Sequence, residues 1–184
     1  MKAYRKQSGI YIEVEDNIPV SSTMTQVALR PSKFHVFSAN WNTDPMNPAV
    51  CWVLDTNLQK ADLKQQVSAK RYDVEVAGVN FTYRTVQVPI STSRDSQAKI
   101  DAARNMVKDT VWVENASWKC LDGVFRPMTS AEVLDMVAAV RLHIKATYDV
   151  EATKFAEIDA TGTTDISTGW PATANTTTST YFQK

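Results

Sequence analysis

The chain has 184 residues, of which 43% are hydrophobic and 22% charged, and its formal net charge is zero. This composition predicts a soluble globular protein with one domain or two small ones. Twenty basic residues balanced by twenty acidic ones argue against a dedicated nucleic-acid binder, which needs an excess of cations to neutralise phosphates.

Residues 1–57 are predicted to form a small antiparallel β-rich unit. Residues 3–6 and 11–14 flank a glycine-containing loop and predict a hairpin. Residues 27–30 run extended into Pro31, and residues 34–37 and 50–54 are short stretches rich in aromatic and branched side chains, which favour strands. Asparagine and proline predict a loop over residues 40–48.

A helix is predicted over residues 56–72, with Asp55 or Thr56 as its N-cap. Its apolar stripe is broken, so residues 58–72 are interpreted as a surface helix that connects two units. The densest basic group of the chain lies here and comprises Lys60, Lys64, Lys70 and Arg71. Because Asp62 and Asp73 are interspersed among these residues, we interpret the group as a solvated helix face.

Residues 73–164 are predicted to combine hairpins with helices. From Asp73 the apolar residues alternate with polar ones as far as Val88, which predicts strands with a turn at Ala77-Gly78. A second helix is expected from Ser93 or Asp95 to about Val111 because its apolar positions follow helical spacing.

The stretch after this helix carries the strongest local signals. A strand containing Trp118 is predicted to turn on Asp122-Gly123, with Gly123 at positive φ. Thr129 and Glu132 then form a capping box at the start of a helix over residues 130–160. The apolar seam predicted for that helix comprises Val133, Val137, Val140, Ile144, Tyr148, Ala152, Phe155 and Ile158.

Residues 165–184 are predicted to form an extended arm rich in threonine. No charged residue lies between Ile166 and Gln183, so composition alone indicates a disordered tail, and we expect it to dock in extended form on another protein. Trp170, Tyr181 and Phe182 are its large side chains and are the predicted partner-binding residues. The complete prediction is an α+β fold: the β unit, the connecting helix, hairpins packed with two or three helices, and the arm.

The sequence contains no recognisable catalytic, metal-binding or cofactor-binding motif. His35 and His143 are expected to be structural or surface residues, and Cys51 and Cys120 to be buried free thiols, with a disulfide as the alternative. The first residues are too polar for a secretory signal, and no apolar stretch is long enough for a membrane helix. We therefore expect synthesis in a cytoplasm, with no cofactor, metal, nucleic acid or membrane as a ligand.

Residues 72–171 resemble a domain of unknown function that occurs near the C-terminus of many tailed-phage tail and tail-fibre-assembly proteins. The motifs that carry the resemblance are Ser96-x-x-x-Ile100, Trp118-Lys119-x-x-Asp122-Gly123-x-Phe125, Met128-Thr129 and Gly169-Trp170-Pro171. In the first half, Leu29-Arg30-Pro31-Ser32-x-Phe34-His35 followed by Trp41 is similar to the opening of small phage tail proteins.

The resemblance implies a non-enzymatic component of a phage tail, in the baseplate or at the tail-fibre attachment, that acts through protein–protein contacts. It is equally compatible with a tail-fibre assembly chaperone. An enzyme such as a cell-wall hydrolase is disfavoured, since no acid, base or metal site is recognisable. The implied partners are tail-fibre or baseplate subunits, with a homo-oligomer as a further option, and the implied location is the virion tail after synthesis in the host cytoplasm.

Overall fold

The computed structural model describes residues 2–5, 11–14, 25–27, 30–38 and 43–174. The chain divides into two compact units, Met1–Asp62 and Leu63–Lys184. Strands of the first unit are β1 (Lys2–Arg5), β2 (Tyr11–Val14), β3 (Thr25–Val27), β4 (His35–Phe37) and β5 (Trp52–Leu54), with a short helix α1 (Pro48–Cys51). Then follow α2 (Thr56–Val76), β6 (Val79–Tyr83), β7 (Val86–Ile90), α3 (Arg94–Lys108), β8 (Ala116–Lys119), β9 (Phe125–Met128) and α4 (Ser130–Thr161). The predicted α+β class is confirmed.

The first unit has two small antiparallel sheets. One has the strand order β2-β1-β3 and the other pairs β4 with β5, so the predicted hairpin of β1 and β2 is confirmed. Its core contains the buried residues Ala3, Cys51 and Trp52. The rings of Phe37 and Trp52 stack with centroids 4.3 Å apart, and Tyr11 meets Trp52 edge-on at 5.0 Å.

The prediction of a strand over residues 50–54 is wrong for its first half, because α1 occupies Pro48–Cys51. The Oδ1 atom of Asn47 accepts a hydrogen bond from the Ala49 amide, and Pro48 takes the first helical position, where its missing N–H costs nothing. The strand therefore begins at Trp52. Trp41, the last residue of the first-half resemblance, lies outside the described residues.

The alternating residues 73–76 are helical rather than extended. The α2 helix continues to Val76 and buries Val67, Val74 and Glu75. Ala77-Gly78 consequently ends a helix instead of turning a hairpin, and Gly78 has a φ of +90°. The turn between β6 and β7 falls later, at Arg84-Thr85, where Arg84 has a φ of +57°.

The second unit packs the hairpins β6–β7 and β8–β9 with α3 and α4 around one core. Its buried side chains include Phe81, Val88, Ile90, Ile100, Ala103, Met128, Val133, Met136, Val137 and Val140.

Ser93 caps α3 as predicted. That helix ends at Lys108 rather than Val111, because Thr110 adopts a φ of +58° and the chain turns away, which leaves Val111 exposed.

The α4 helix begins at the predicted capping box and ends at Gly162, a left-handed C-cap. Its apolar seam is confirmed for Val133, Val137, Val140 and the partly buried Ile144. Farther along, the seam is confirmed at the fully buried Ile158, but the prediction is wrong for Tyr148 and Ala152, which are exposed. The buried face there includes polar side chains instead, namely His143, Thr147 and Lys154. The burial of the polar His143 ring is compensated because its Nε2–H donates to the Val74 carbonyl oxygen at 3.0 Å.

Residues 162–174, which we name the strap, pack against the rest of the second unit. The ammonium group of the buried Lys154 donates to the Asp165 carbonyl, the Trp170 indole N–H donates to the Ile166 carbonyl at 2.8 Å, and the Ala174 amide donates to the Gly78 carbonyl. The expectation that the extended arm begins at residue 165 is therefore wrong for residues 165–174. Tyr181 and Phe182 lie outside the described residues.

Candidate functional site

The β8–β9 hairpin provides the frame of the candidate site. Its loop contains Leu121, Asp122 and Gly123, the Gly123 amide donates to the Cys120 carbonyl, and the Cys120 amide donates to the Val124 carbonyl, both at 3.0 Å. Gly123 has a φ of +81°, as predicted. This is the three-residue hairpin loop that combines a type I turn with a left-handed residue, a position that favours glycine.

An ion pair braces the end of this hairpin. The Arg126 guanidinium donates to both carboxylate oxygens of Asp122, at 2.9 and 2.6 Å. These bonds lower the pKa of Asp122 and raise that of Arg126. The Asp122 carboxylate also accepts from the Val124 amide at 3.0 Å, so this loop side chain is fixed to the returning half of the hairpin.

The outer edge of β9 is closed at Pro127. Ser117 lies opposite Pro127, and Trp118 opposite Arg126. Because the Cys120–Val124 pair is hydrogen-bonded, the alternation of an antiparallel ladder turns the main-chain groups of Pro127 away from β8. Pro127 has no N–H, and its carbonyl already accepts from the Tyr83 hydroxyl at 2.8 Å. Pro127 therefore offers neither a free N–H nor a free carbonyl to another strand.

The outer edge of β8 is open at Ser117 and Lys119, whereas just after the strand the Leu121 amide donates to the Pro89 carbonyl of β7 at 2.8 Å. The same alternation directs the N–H and C=O groups of Ser117 and Lys119 away from β9. Among the strands that the structure describes, β8 pairs with β9 alone. Both residues are exposed, and among the described residues no main-chain group bonds to them on that side, so this part of the edge can accept another strand.

A groove of about 430 Å³ runs beside this open edge. Its walls come from the end of β7 and the residue after it (Ile90, Ser91), from α3 (Ser96, Lys99, Ile100), from β8 (Ser117, Trp118, Lys119) and from β9 (Phe125). Phe125 is 63% exposed although it is a large apolar residue, and the Lys119 ammonium lies 5.8 Å from the centre of its ring. The groove thus joins an apolar wall to a free strand edge.

The charge of the groove has one sign. Lys99 and Lys119 are its ionisable lining residues, and no carboxylate lines it within the part of the chain that the structure describes. The hydroxyl groups of Ser91 and Ser96 bond to each other at 2.9 Å, next to the Ser93 cap of α3. The two ammonium groups favour an anionic side chain on whatever occupies the groove.

The predicted structural residues fall into two groups within the second unit. Trp118, Asp122 and Gly123 come together in the β8–β9 hairpin. Thr129 and Glu132 form the capping box of α4, and the Arg84 guanidinium donates to the Glu132 carboxylate at 3.0 Å. The Thr129 amide and Arg84 together lower the pKa of Glu132. Trp170 lies on the strap, 5.8 Å from the Lys154 ammonium.

The sequence prediction missed a buried charged cluster around Glu75. This carboxylate is fully buried, pairs with Arg71 one turn earlier on α2, and accepts from Arg94 of α3 at 3.3 Å. The Arg71 guanidinium also lies 4.6 Å from the centre of the Tyr148 ring. Arg71 is therefore packed rather than solvated, and the spacing of Arg71 and Glu75 was the one signal that indicated it.

The groove, the open edge and the Glu75 cluster all lie in the part of the chain that a family model covers. The model described as "Domain of unknown function (DUF4376)" matches residues 58–174. The chain belongs to the DUF4376 family. The DUF4376 match ends at Ala174, so the strap lies within the family domain. No curated protein and no solved structure is detectably similar to the chain.

Both thiols of the described residues are buried. Cys51 and Cys120 are buried free thiols, as predicted, and burial raises the pKa of Cys120, which keeps it in the less nucleophilic form. Within residues 2–5, 11–14, 25–27, 30–38 and 43–174, no three His, Cys, Asp or Glu side chains are grouped for metal binding. No helix in those ranges combines the length and the hydropathy that crossing a bilayer requires.

Proposed function

We propose that this DUF4376 protein is a structural component of a phage tail, in the baseplate or at the tail-fibre attachment, and that it acts through protein–protein contacts without catalysis. The observation that carries the proposal is the open edge of β8 beside a groove that exposes Phe125. An unpaired strand edge with an adjacent apolar surface is a common means of holding another polypeptide.

The resemblance of residues 72–171 to domains of tail and tail-fibre-assembly proteins supplies the biological setting. Zero net charge supports the proposal, because it removes a source of mutual repulsion between subunits.

A tail-fibre assembly chaperone remains the alternative, because an open edge can hold a partner during folding as well as in a finished particle. The two roles differ in where the chain ends up. A structural subunit stays in the particle at a fixed copy number, whereas a chaperone leaves after the fibre has folded.

The deciding experiment is quantitative mass spectrometry of virions purified from the source culture, with the major tail protein as internal reference. A fixed copy number relative to that protein is the expected result. Presence in infected cells on immature fibres, together with absence from virions, would identify the chaperone. Absence from both would contradict the proposal and the alternative.

A further inference from the structure

We propose that the groove binds an extended segment of another protein, which adds as a strand to the open edge of β8 and places an acidic side chain next to Lys99 and Lys119. This inference rests on the proposed protein-binding function and specifies the kind of partner. It concerns the molecular contact rather than the particle in which the contact is made.

The main chain of β8 supplies the first part of the argument. Ser117 and Lys119 are two residues apart on the same strand, so their free groups form the donor–acceptor spacing of an unpaired ladder. An incoming segment in the extended conformation can satisfy these groups in register. A helical segment cannot, because its own N–H and C=O groups are already paired.

The contrast between the two hairpin edges makes β8 the docking strand. Pro127 of β9 offers no donor, and the Tyr83 hydroxyl occupies its carbonyl. No comparable obstacle lies on β8 at Ser117 and Lys119, since both residues are exposed. Strand addition is therefore directed to one side of the hairpin, the side on which the groove lies.

The side chains of the groove define the chemistry of the segment. Phe125 and Ile100 provide apolar contact, so an apolar or aromatic side chain of the segment lies between them. Lys99 and Lys119 line the same groove with no carboxylate among the lining residues described, so the neighbouring side chain of the segment is acidic. The expected ligand is a short extended peptide that combines an apolar residue with Asp or Glu.

The test uses a library of random heptapeptides displayed on filamentous phage, selected on the full-length immobilised chain. Enriched sequences are then synthesised with a fluorescent label, and their affinities are measured by fluorescence anisotropy. We expect enrichment of peptides that contain an apolar residue beside Asp or Glu. N-methylation of the peptide backbone at alternate positions removes N–H donors that would pair with β8. It should weaken binding about fivefold to tenfold, because the loss of one main-chain hydrogen bond raises the Kd by roughly that factor.

Variants of the protein locate the contact. Ser117→Pro removes an edge N–H that β9 does not use, and Phe125→Ala removes the exposed ring, so each should weaken peptide binding about fivefold or more. Lys119→Glu should weaken acidic peptides and improve basic ones. Val113→Ala is the matched control, because Val113 is 68% exposed and does not line the groove, and its affinity should equal that of the wild type.

Phe125→Ala and Lys119→Glu replace exposed side chains, so they decide the question even if Ser117→Pro lowers the melting temperature. Failure to enrich any peptide, or equal affinity for the wild type and for both of these variants, would overturn the inference. Enrichment of peptides that bind only in helical form would also overturn it.

The binding assay and the virion assay fail independently. A chain that is stoichiometric in virions but binds no extended peptide keeps the proposed function and loses this inference. A chain that is absent from virions but binds acidic extended peptides through Phe125 and Ser117 keeps this inference and loses the tail assignment.

Discussion

The Ala174 amide donates a hydrogen bond to the Gly78 carbonyl oxygen at 2.9 Å, and the Ala174 side chain is buried. The strap thereby reaches the short connection between α2 and β6. Gly78 has no space for a side chain, since a Cβ atom there would lie 2.9 Å from the Ile90 carbonyl oxygen and 2.8 Å from the Leu121 side chain.

Gly78→Ala should be among the most destabilising small substitutions in the second unit. It combines the cost of a left-handed residue, about 1–2 kcal/mol, with the cost of overpacking against main-chain atoms, about 1–3 kcal/mol. Gly123→Ala is the matched control: its φ is also positive, but no other group lies within 4 Å of the added carbon. Chemical denaturation should therefore show a larger loss for Gly78→Ala, and equal losses would contradict the crowded site.

Val140→Ala should lower the free energy of unfolding by about 1–3 kcal/mol, since Val140 is 2% exposed and lies in the core between α3 and α4. Leu142→Ala removes a larger side chain from the same helix. Leu142 is 67% exposed, so its truncation should change stability little. Urea denaturation of both variants checks the prediction, and a neutral Val140→Ala would show that this face is not buried.

Glu75→Gln should destabilise the second unit by about 1–3 kcal/mol, because it removes a buried negative charge bonded to Arg71 and Arg94. Glu151, at 3.3 Å, remains the second counter-ion of Arg71. A matched control is Asp149→Asn, which breaks the ion pair of Lys145 and Asp149 on α4. That pair has the same four-residue spacing, but both side chains are well exposed. The Asp149→Asn variant should lose almost no free energy of unfolding in the same denaturation measurement. Comparable losses in the two variants would show that burial does not distinguish the pairs.

Local sequence signals predicted the elements whose determinants lie within a few residues. The Thr129 and Glu132 capping box and the left-handed Gly123 each depend on contacts inside one turn, and both were found as expected. Residues 73–76 were predicted wrongly because alternating valines suit either a strand or a buried helix end. In the helix, the Val74 carbonyl accepts a hydrogen bond from His143, which lies 69 residues later in the sequence. The local alternation of residues cannot predict a contact over such a separation.

The candidate site was beyond sequence prediction for the same reason. Phe125 was placed correctly in a strand, but its exposure depends on what the rest of the unit leaves uncovered. The choice of β8 as the docking edge depends on the closure of β9 at Pro127 by Tyr83, which lies 44 residues earlier. The short strap was predicted as part of an arm because its composition is polar, whereas its anchor is the buried Lys154.

The last prediction concerns Asp165, which organises the strap. Its carboxylate accepts from the Ser167 hydroxyl at 2.6 Å, from the Thr168 hydroxyl at 2.7 Å and from the Ser167 amide at 2.8 Å. These bonds lower the pKa of Asp165 from 3.8 to about 2. A carboxyl group whose pKa is lower in the folded state stabilises that state above pH 3.8, and the stabilisation is lost as the pH falls towards 2.

Asp165→Asn should therefore flatten the acid dependence of stability in that interval. Melting temperatures of the wild type should fall more steeply between pH 4 and pH 2 than those of the variant, and the two curves should converge at the acid end. Asp149→Asn serves as the control, since it removes an exposed carboxylate of α4 that accepts none of the strap bonds. If Asp165→Asn and the wild type lose stability in parallel over this interval, the carboxylate does not hold the strap closed.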